Sequence, residues 1–399
     1  MISCASKVKN NTNVKSDILN EVKKDTSIVI GANRTETYLP LLKGKRVGIV
    51  ANQTSVVFKQ EIDHLNNTHL VDSLIALNID IKKVFAPEHG FRGQADAGEV
   101  VKDGIDTKTN LPIVSLYGKN KKPSKEQLKN LDVVIFDIQD VGARFYTYIS
   151  SLHYVMEACA EAGIPVIVFD RPNPNGHYID GPILEMEHKS FVGMHPIPVV
   201  HGMTIGEYAK MINGEKWLAN GVQCELEVIN MKHYNHQLSY SLPIKPSPNL
   251  PNDKSINLYP SLCFFEGTNV SIGRGTNKQF QVIGTPFFFQ KSHYFEFTPN
   301  PNHGAKYPKH QNKACHGYDL SNHKNLNGLN LKWLIEFYKA NKQYATNEKF
   351  FSSFFTKLAG TKTLQEQIES GLSEQEIKAT WKKGLERFKE TRKKHLIYP

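Results

Sequence analysis

The sequence predicts an α/β protein: a Rossmann-like, doubly wound parallel sheet followed by a smaller α+β C-terminal domain. Two observations carry that prediction. Short apolar runs rich in Val, Ile and Phe recur between residues 46 and 169, and each ends in polar residues. Such continuous runs are what strands buried on both faces look like, whereas strands buried on one face alternate. Helix-like sequence separates the runs, and alternating strands and helices build a parallel sheet through crossover connections.

Taken in order, residues 1–26 are polar and read as a disordered leader. Residues 27–245 then form the Rossmann-like domain and 246–399 an auxiliary domain closing a cleft over it. The first run, Arg46–Ala51 (RVGIVA), ends at Asn52-Gln53-Thr54. The second, Lys83–Ala86, breaks at Pro87 into Glu88, His89, Gly90, Phe91, Arg92 and Gly93. Pro112–Leu116 ends at Tyr117-Gly118, Asp132–Phe136 ends at Asp137 and Asp140, and Pro165–Phe169 ends at Asp170-Arg171, with Asn173 just beyond.

Between the last two runs, Arg144–Gly163 places Phe145, Tyr148, Ile149, Leu152, Val155, Met156 and Cys159 on one helical stripe closing on a glycine. Thr204-Ile205-Gly206-Glu207 has the form of a capping box and opens a helix through Met211. Ser241–Pro251 (SLPIKPSPNLP) is a linker by composition. Beyond it, Phe264–Thr276 (FFEGTNVSIGRGT) interleaves Glu266, Asn269 and Arg274 with glycines, and helices are expected over 330–340 and 373–392.

In doubly wound sheets, ligands bind outside the carboxyl ends of the strands. Asn52, Glu88, Asp137, Asp140, Asp170 and Arg171 all fall at that edge. The stretch VFAPEHGFRG concentrates most chemistry, with a carboxylate, an imidazole and a guanidinium inside five residues. A dinucleotide site needs G-x-G-x-x-G after the first strand. The chain has ANQTS there and no P-loop, so no nucleotide cofactor is expected.

Lys and Arg number 49 against 39 Asp and Glu, a formal charge of +10, but no nucleic-acid module accompanies the excess and nucleic acid is not an expected partner. The five cysteines contain no CxxC pair, which argues against a zinc ribbon or a disulfide framework. Cys159 and Cys263 read as core thiols. Cys4, after Ile2-Ser3 and before an Asn/Lys-rich segment, looks like the first residue of a mature bacterial lipoprotein. It is the candidate lipid anchor, and it points to the cell envelope.

Six segments in order, GKRVGIVANQTS, APEHGFRG, DVVIFDIQDVGARFYTYISSL, VFDRPNPNG, PSPNLP and FEGTNVSIGRGT, resemble the bacterial exo-β-N-acetylmuramidases, glycoside hydrolases once catalogued only as a domain of unknown function. The resemblance runs from about Gly44 to the C-terminus. It implies an active site in the cleft between two domains and release of N-acetylmuramic acid (MurNAc) from the non-reducing end of peptidoglycan fragments such as MurNAc–GlcNAc. It places the family's catalytic glutamate on Glu88, and no cofactor or metal is expected.

Glycosidic cleavage needs an acid for the leaving oxygen and a second group as base or nucleophile. Asp137 and Asp170 are expected beside Glu88 as catalytic carboxylates, with Asp140 and Glu266 also open as the second group and the substrate's own 2-acetamido oxygen as a further alternative. Asn52, His89, Arg92, Asp140, Arg144, Arg171, Asn173, Glu266, Asn269 and Arg274 are the expected substrate-binding residues. MurNAc differs from GlcNAc by a lactyl carboxylate, which an arginine fork suits better than a lysine. Arg92, Arg144, Arg171 and Arg274 are available, with Arg171 and Arg274 preferred. Two other classes stay open: a metal-dependent hydrolase or deacetylase using His89, Asp137, Asp140, Asp170, His177 and His201, and a non-catalytic wall-binding lipoprotein.

Overall fold

The computed structural model describes residues 27–59, 66–93, 103–288, 295–345 and 347–399. Its main sheet has seven strands in the order β5-β6-β4-β1-β7-β8-β9. These are β1 (Arg46–Ala51), β4 (Asp80–Ala86), β5 (Gly104–Ile105), β6 (Pro112–Ser115), β7 (Val133–Asp137), β8 (Val166–Phe169) and β9 (Leu226–Ile229). All neighbours pair parallel except β5, an antiparallel edge on β6. The chain winds outward from β1 in both directions, so the strand order reverses between β1 and β7, where Ala51 pairs with Asp137. A small hairpin of β2 (Val56–Phe58) and β3 (Asn67–His69) follows β1.

The apolar runs became strands because both faces of the sheet are covered. Val134 and Phe136 belong to one core cluster, and Val133 and Ile135 to the other. Helices α1 (Thr35–Leu42) and α2 (Leu70–Ala76) supply Tyr38, Leu42, Leu70, Val71 and Leu74 to the second cluster. Helix α3 (Lys125–Leu128) supplies Leu128 to the first, while α4 (Tyr148–Ala162) and α5 (Ile205–Gly214) fill most of it. Helix α4 ends as expected on Gly163 at φ 66°, a left-handed cap that favours glycine. It starts at Tyr148 rather than Arg144, and the turn before it carries Arg144, whose buried guanidinium donates to the Pro182 carbonyl. Helix α5 opens with the expected box: the Thr204 hydroxyl accepts from Glu207 N, and Glu207 accepts from Thr204 N.

The second lobe begins with α6 (Asp253–Leu262), capped by Asn252. It holds an antiparallel sheet of β10 (Val282–Thr285), β12 (Cys315–Asp319) and β11 (Phe295–Phe297), then α7 (Lys332–Tyr344), α8 (Ser353–Ala359), α9 (Thr363–Glu369) and α10 (Glu374–Lys393). The larger core cluster runs unbroken from Phe136 and Met156 through Phe264 and Phe265 to Phe337, Phe355 and Trp381, so the two lobes share one interior.

The last residues return to the first lobe and close its carboxyl edge. Tyr398 Oη donates to the buried Asp170 carboxylate at 2.8 Å and accepts from Met231 N at 2.8 Å. Glu207 accepts from the amides of Ile397 and Tyr398. Burial, with the Glu207 charge beside it, pushes Asp170 up to about 7. Glu207 is lowered despite its burial, chiefly by its hydrogen bond from His236.

This tail generates a stability prediction. Tyr398→Phe removes both bonds while keeping the ring, and should cost about 1–3 kcal/mol, the range for stranding buried polar partners. The raised Asp170 binds its proton more tightly folded than unfolded, so its own contribution to stability falls as pH rises from about 4 to 7. The Tyr398 bond is strongest to the charged form, so the loss should grow between pH 5 and pH 8. Urea midpoints that match wild type at pH 8 would show that the tail does not clamp this edge.

Candidate active site

Beyond β4 the chain turns sharply: His89 sits at φ 71° and Gly90 at φ 77°, then Gly93 at φ 73°. A buried histidine in the left-handed region is backbone strain of a kind that concentrates at functional sites. The turn leaves the Glu88 side chain half-buried at the carboxyl edge of the sheet. Two hydroxyls hold it. Tyr117, at the end of β6, donates to Glu88 Oε1 at 3.0 Å, and Thr147, the N-cap of α4, donates to Oε2 at 3.2 Å. Tyr148 Oη reaches the Glu88 carbonyl at 3.4 Å and is itself held by Asn52 Nδ2 at 2.9 Å. The positive end of a fifteen-residue helix therefore lies beside the carboxylate.

The floor next to Glu88 is aromatic. Tyr148 and Tyr146 meet edge to face at 4.9 Å, and Tyr146 meets Tyr259 of α6 at 5.8 Å. Helix α6 leads into a short 3-10 turn, Cys263–Gly267, that carries Glu266. Arg274 Nη1 donates to Glu266 Oε1 at 3.1 Å. Burial and the adjacent Glu88 raise the Tyr117 phenol above its ordinary range, and Arg274 is near enough to oppose the rise. Tyr117 thus bonds Glu88 of one lobe and feels the charge of Arg274 of the other.

The remaining strand-end residues are sealed. Asp137, at 0% exposure, pairs with Arg171 Nε at 2.6 Å and Nη2 at 2.8 Å, and Arg171 also bonds the Val56 carbonyl. Burial pushes the Asp137 carboxyl above its ordinary range and the guanidinium opposes that push. Asp170, also at 0%, accepts from Thr204 Oγ1, Gly206 N and Tyr398 Oη. Asp140, at 4%, accepts from Gly142 N at 2.7 Å and lies 3.9 Å from His201; burial pushes it up to about 7. None of the three presents an oxygen to a sugar.

Asn52 and Asn173 are buried organisers. Asn52 Oδ1 accepts from Thr54, while Asn173 bonds the Met203 carbonyl and the Asn175 amide. Asn269 pairs with Asn341 of α7 at 2.6 Å. Arg92 forks onto Asp106 at 2.8 Å twice and reaches Asp72, and Arg144 donates to the carbonyls of Pro182, Ile197, Leu358 and Ala359. The expected set therefore splits. Glu88, Glu266 and Arg274 keep part of their side chains exposed, while Asp137, Asp140, Asp170, Arg144, Arg171 and Asn173 are buried. The histidines and aspartates considered as metal ligands do not gather: among the described residues three such ligand atoms converge only at exposed Glu185 and Glu187 with His188.

Four residues of this site were not anticipated: Tyr117, Thr147, Tyr148 and Lys309. Lys309 Nζ lies under the glycine-rich loop, bonding the carbonyls of Phe265 at 3.0 Å and Val270 at 3.1 Å as well as that of Thr268. Burial pushes this lysine down to about 8, with the Glu266 charge opposing.

Sealed and open acids should respond differently to substitution. Asp137→Ala leaves the Arg171 charge buried and alone, which should cost about 3–5 kcal/mol of stability. Denaturant titration of that variant checks the point, and an undiminished midpoint with abolished turnover would move Asp137 into the chemistry.

Comparison with known proteins agrees across the chain. Residues 47–254 match the family model described as exo-beta-N-acetylmuramidase NamZ, N-terminal, and residues 257–398 match its C-terminal counterpart. A curated relative, peptidoglycan beta-N-acetylmuramidase NamZ of Bacillus subtilis strain 168, is 44% identical over 383 residues, covering 90% of this chain and 89% of its own. Two crystal structures of DUF1343 family proteins from Bacteroides fragilis superpose closely. One, at 48% identity, has a TM-score of 0.83 and covers 93% of this chain and 99% of that one. The other, at 28% identity, has a TM-score of 0.79 and covers 94% and 100%.

Proposed function

The chain belongs to the exo-β-N-acetylmuramidase NamZ family, and from that premise we propose that it releases MurNAc from the non-reducing end of peptidoglycan fragments such as MurNAc–GlcNAc, with Glu88 handling the proton of the scissile oxygen. The protein is a glycoside hydrolase acting on peptidoglycan. The observation that carries the assignment of Glu88 is how it is held. A hydroxyl can donate to a carboxylate and also accept from a carboxyl. Tyr117 and Thr147 therefore keep hold of Glu88 in either protonation state, which a group that gives and regains a proton requires. A guanidinium, as at Asp137, favours only the charged state.

The second group is then Glu266 or the substrate's own 2-acetamido oxygen. Asp137, Asp140 and Asp170 are too deeply buried to touch a sugar. Glu266 keeps 25% of its side chain exposed on the opposite lobe. A 2-trifluoroacetamido substrate distinguishes the two, because an electron-poor amide is a weak nucleophile: cleavage slows steeply if the amide attacks and little if Glu266 does.

An envelope location fits a substrate drawn from the cell wall, and we hold lipid attachment at Cys4 as part of the same reading. Cys4 lies outside the described residues. Cell fractionation of Cys4→Ser tests this part, since release of the variant from membranes supports the anchor and unchanged distribution removes it.

Glu88→Gln keeps shape and loses the transferable proton, so turnover of MurNAc–GlcNAc should fall by at least ~10²-fold with folding intact. Tyr117→Phe should lower kcat about tenfold while KM changes little, since the ring stays and only the hold on Oε1 is lost. Mass spectrometry of released MurNAc gives both rates. Near-normal turnover by Glu88→Gln removes Glu88 from the reaction.

A further inference from the structure

We propose that Arg274 is the residue that reads the lactyl carboxylate of MurNAc, on a loop fixed from below by Lys309. The inference rests on the muramidase reading above and names the side chain that separates MurNAc from GlcNAc.

Accounting for arginine N–H groups singles it out. Arg92 commits Nε and Nη2 to Asp106 and Asp72. Arg144 spends both terminal nitrogens on four backbone carbonyls inside the core. Arg171 spends Nε and Nη2 on Asp137 and Val56 at 4% exposure. Arg274 uses one terminal nitrogen, on Glu266, and leaves 31% of its side chain exposed. Its Nε is buried without a partner, and its Nη2 makes no bond, among the described residues.

Charge points the same way. Glu266 faces two cations, Arg274 by direct contact and Lys309 through its field. The lactyl group of MurNAc brings a carboxylate, and its planar, two-oxygen form is what an arginine fork binds. A ring whose glycosidic oxygen meets Glu88, which Tyr117 holds, would present its O3 substituent toward Arg274, whose charge is felt at the Tyr117 phenol.

The loop is built to present this arginine rigidly. Gly273 and Gly275 flank it at φ 76° and 82°. A Cβ on Gly273 would lie 2.6 Å from the Lys278 carbonyl, and one on Gly275 would lie 2.7 Å from Pro308, the residue before Lys309. Lys309 then ties three carbonyls of the segment before Arg274 to the strap that follows β11. A preorganised guanidinium loses little entropy on binding its anion.

The test uses two substrates, the 4-nitrophenyl β-glycoside of MurNAc and the same glycoside with its lactyl carboxylate converted to the methylamide. Wild type should prefer the carboxylate by about 10- to 100-fold in kcat/KM, the span of a charge-assisted pair. Arg274→Gln should bring the two substrates within about threefold of each other by slowing the acid substrate. Arg274→Lys, which keeps charge and loses the fork, should retain part of the preference. If wild type cleaves both equally, or Arg274→Gln slows both in proportion, the inference is overturned while the muramidase reading stands. If wild type cleaves neither, that reading fails and the subsite with it.

Discussion

A guanidinium and a carboxylate sealed from water at the point where the strand order reverses hold this site in shape. Arg171 and Asp137 join the ends of β8 and β7 and reach back to the β2 backbone at Val56. The pair is costly to break because either charge alone would be stranded away from water. Around it, Asn52, Asp140, Asp170 and Asn173 are bonded to amides, hydroxyls and side-chain amides of neighbouring loops. Glu88, half-buried beside this edge, accepts from the Tyr117 and Thr147 hydroxyls.

The division between sealed and open carboxylates is what sequence could not resolve. Continuous apolar runs made the strands legible, and their polar ends located the edge. Glu88 and the Glu266–Arg274 loop were visible because glycines surround them, and glycine marks backbone that other residues resist. Asp137 and Asp170 look equivalent to Glu88 in sequence, since each follows a buried strand. Their partners, Arg171, Thr204 and Tyr398, lie 34 to 228 residues away, and no local pattern announces them.

Tyr117 was within reach of the same logic. It ends β6 as Glu88 follows β4, and those two strands are neighbours in the sheet. A tyrosine carries no charge to draw notice, so its place at the edge passed as the end of a strand. Lys309 carried a weaker signal still, one lysine in a proline- and histidine-rich stretch whose acceptors are backbone carbonyls about 40 residues earlier. Strand β9 and the β2–β3 hairpin were also unmarked, being short and partly exposed. The return of the C-terminal tail to Asp170 and Glu207 depends on the whole fold and could not be read from helix periodicity.

A sugar bound across the lobes would meet Glu88 on one side and Arg274 on the other. A crystal structure of the Glu88→Gln variant soaked with MurNAc–GlcNAc tests both contacts at once. The scissile oxygen should lie within hydrogen-bond distance of residue 88, about 2.6–3.2 Å, with the lactyl carboxylate paired with the Arg274 guanidinium. A disaccharide seated instead against Asp137, Asp140 or Asp170, or with its lactyl group turned to solvent, would contradict this placement.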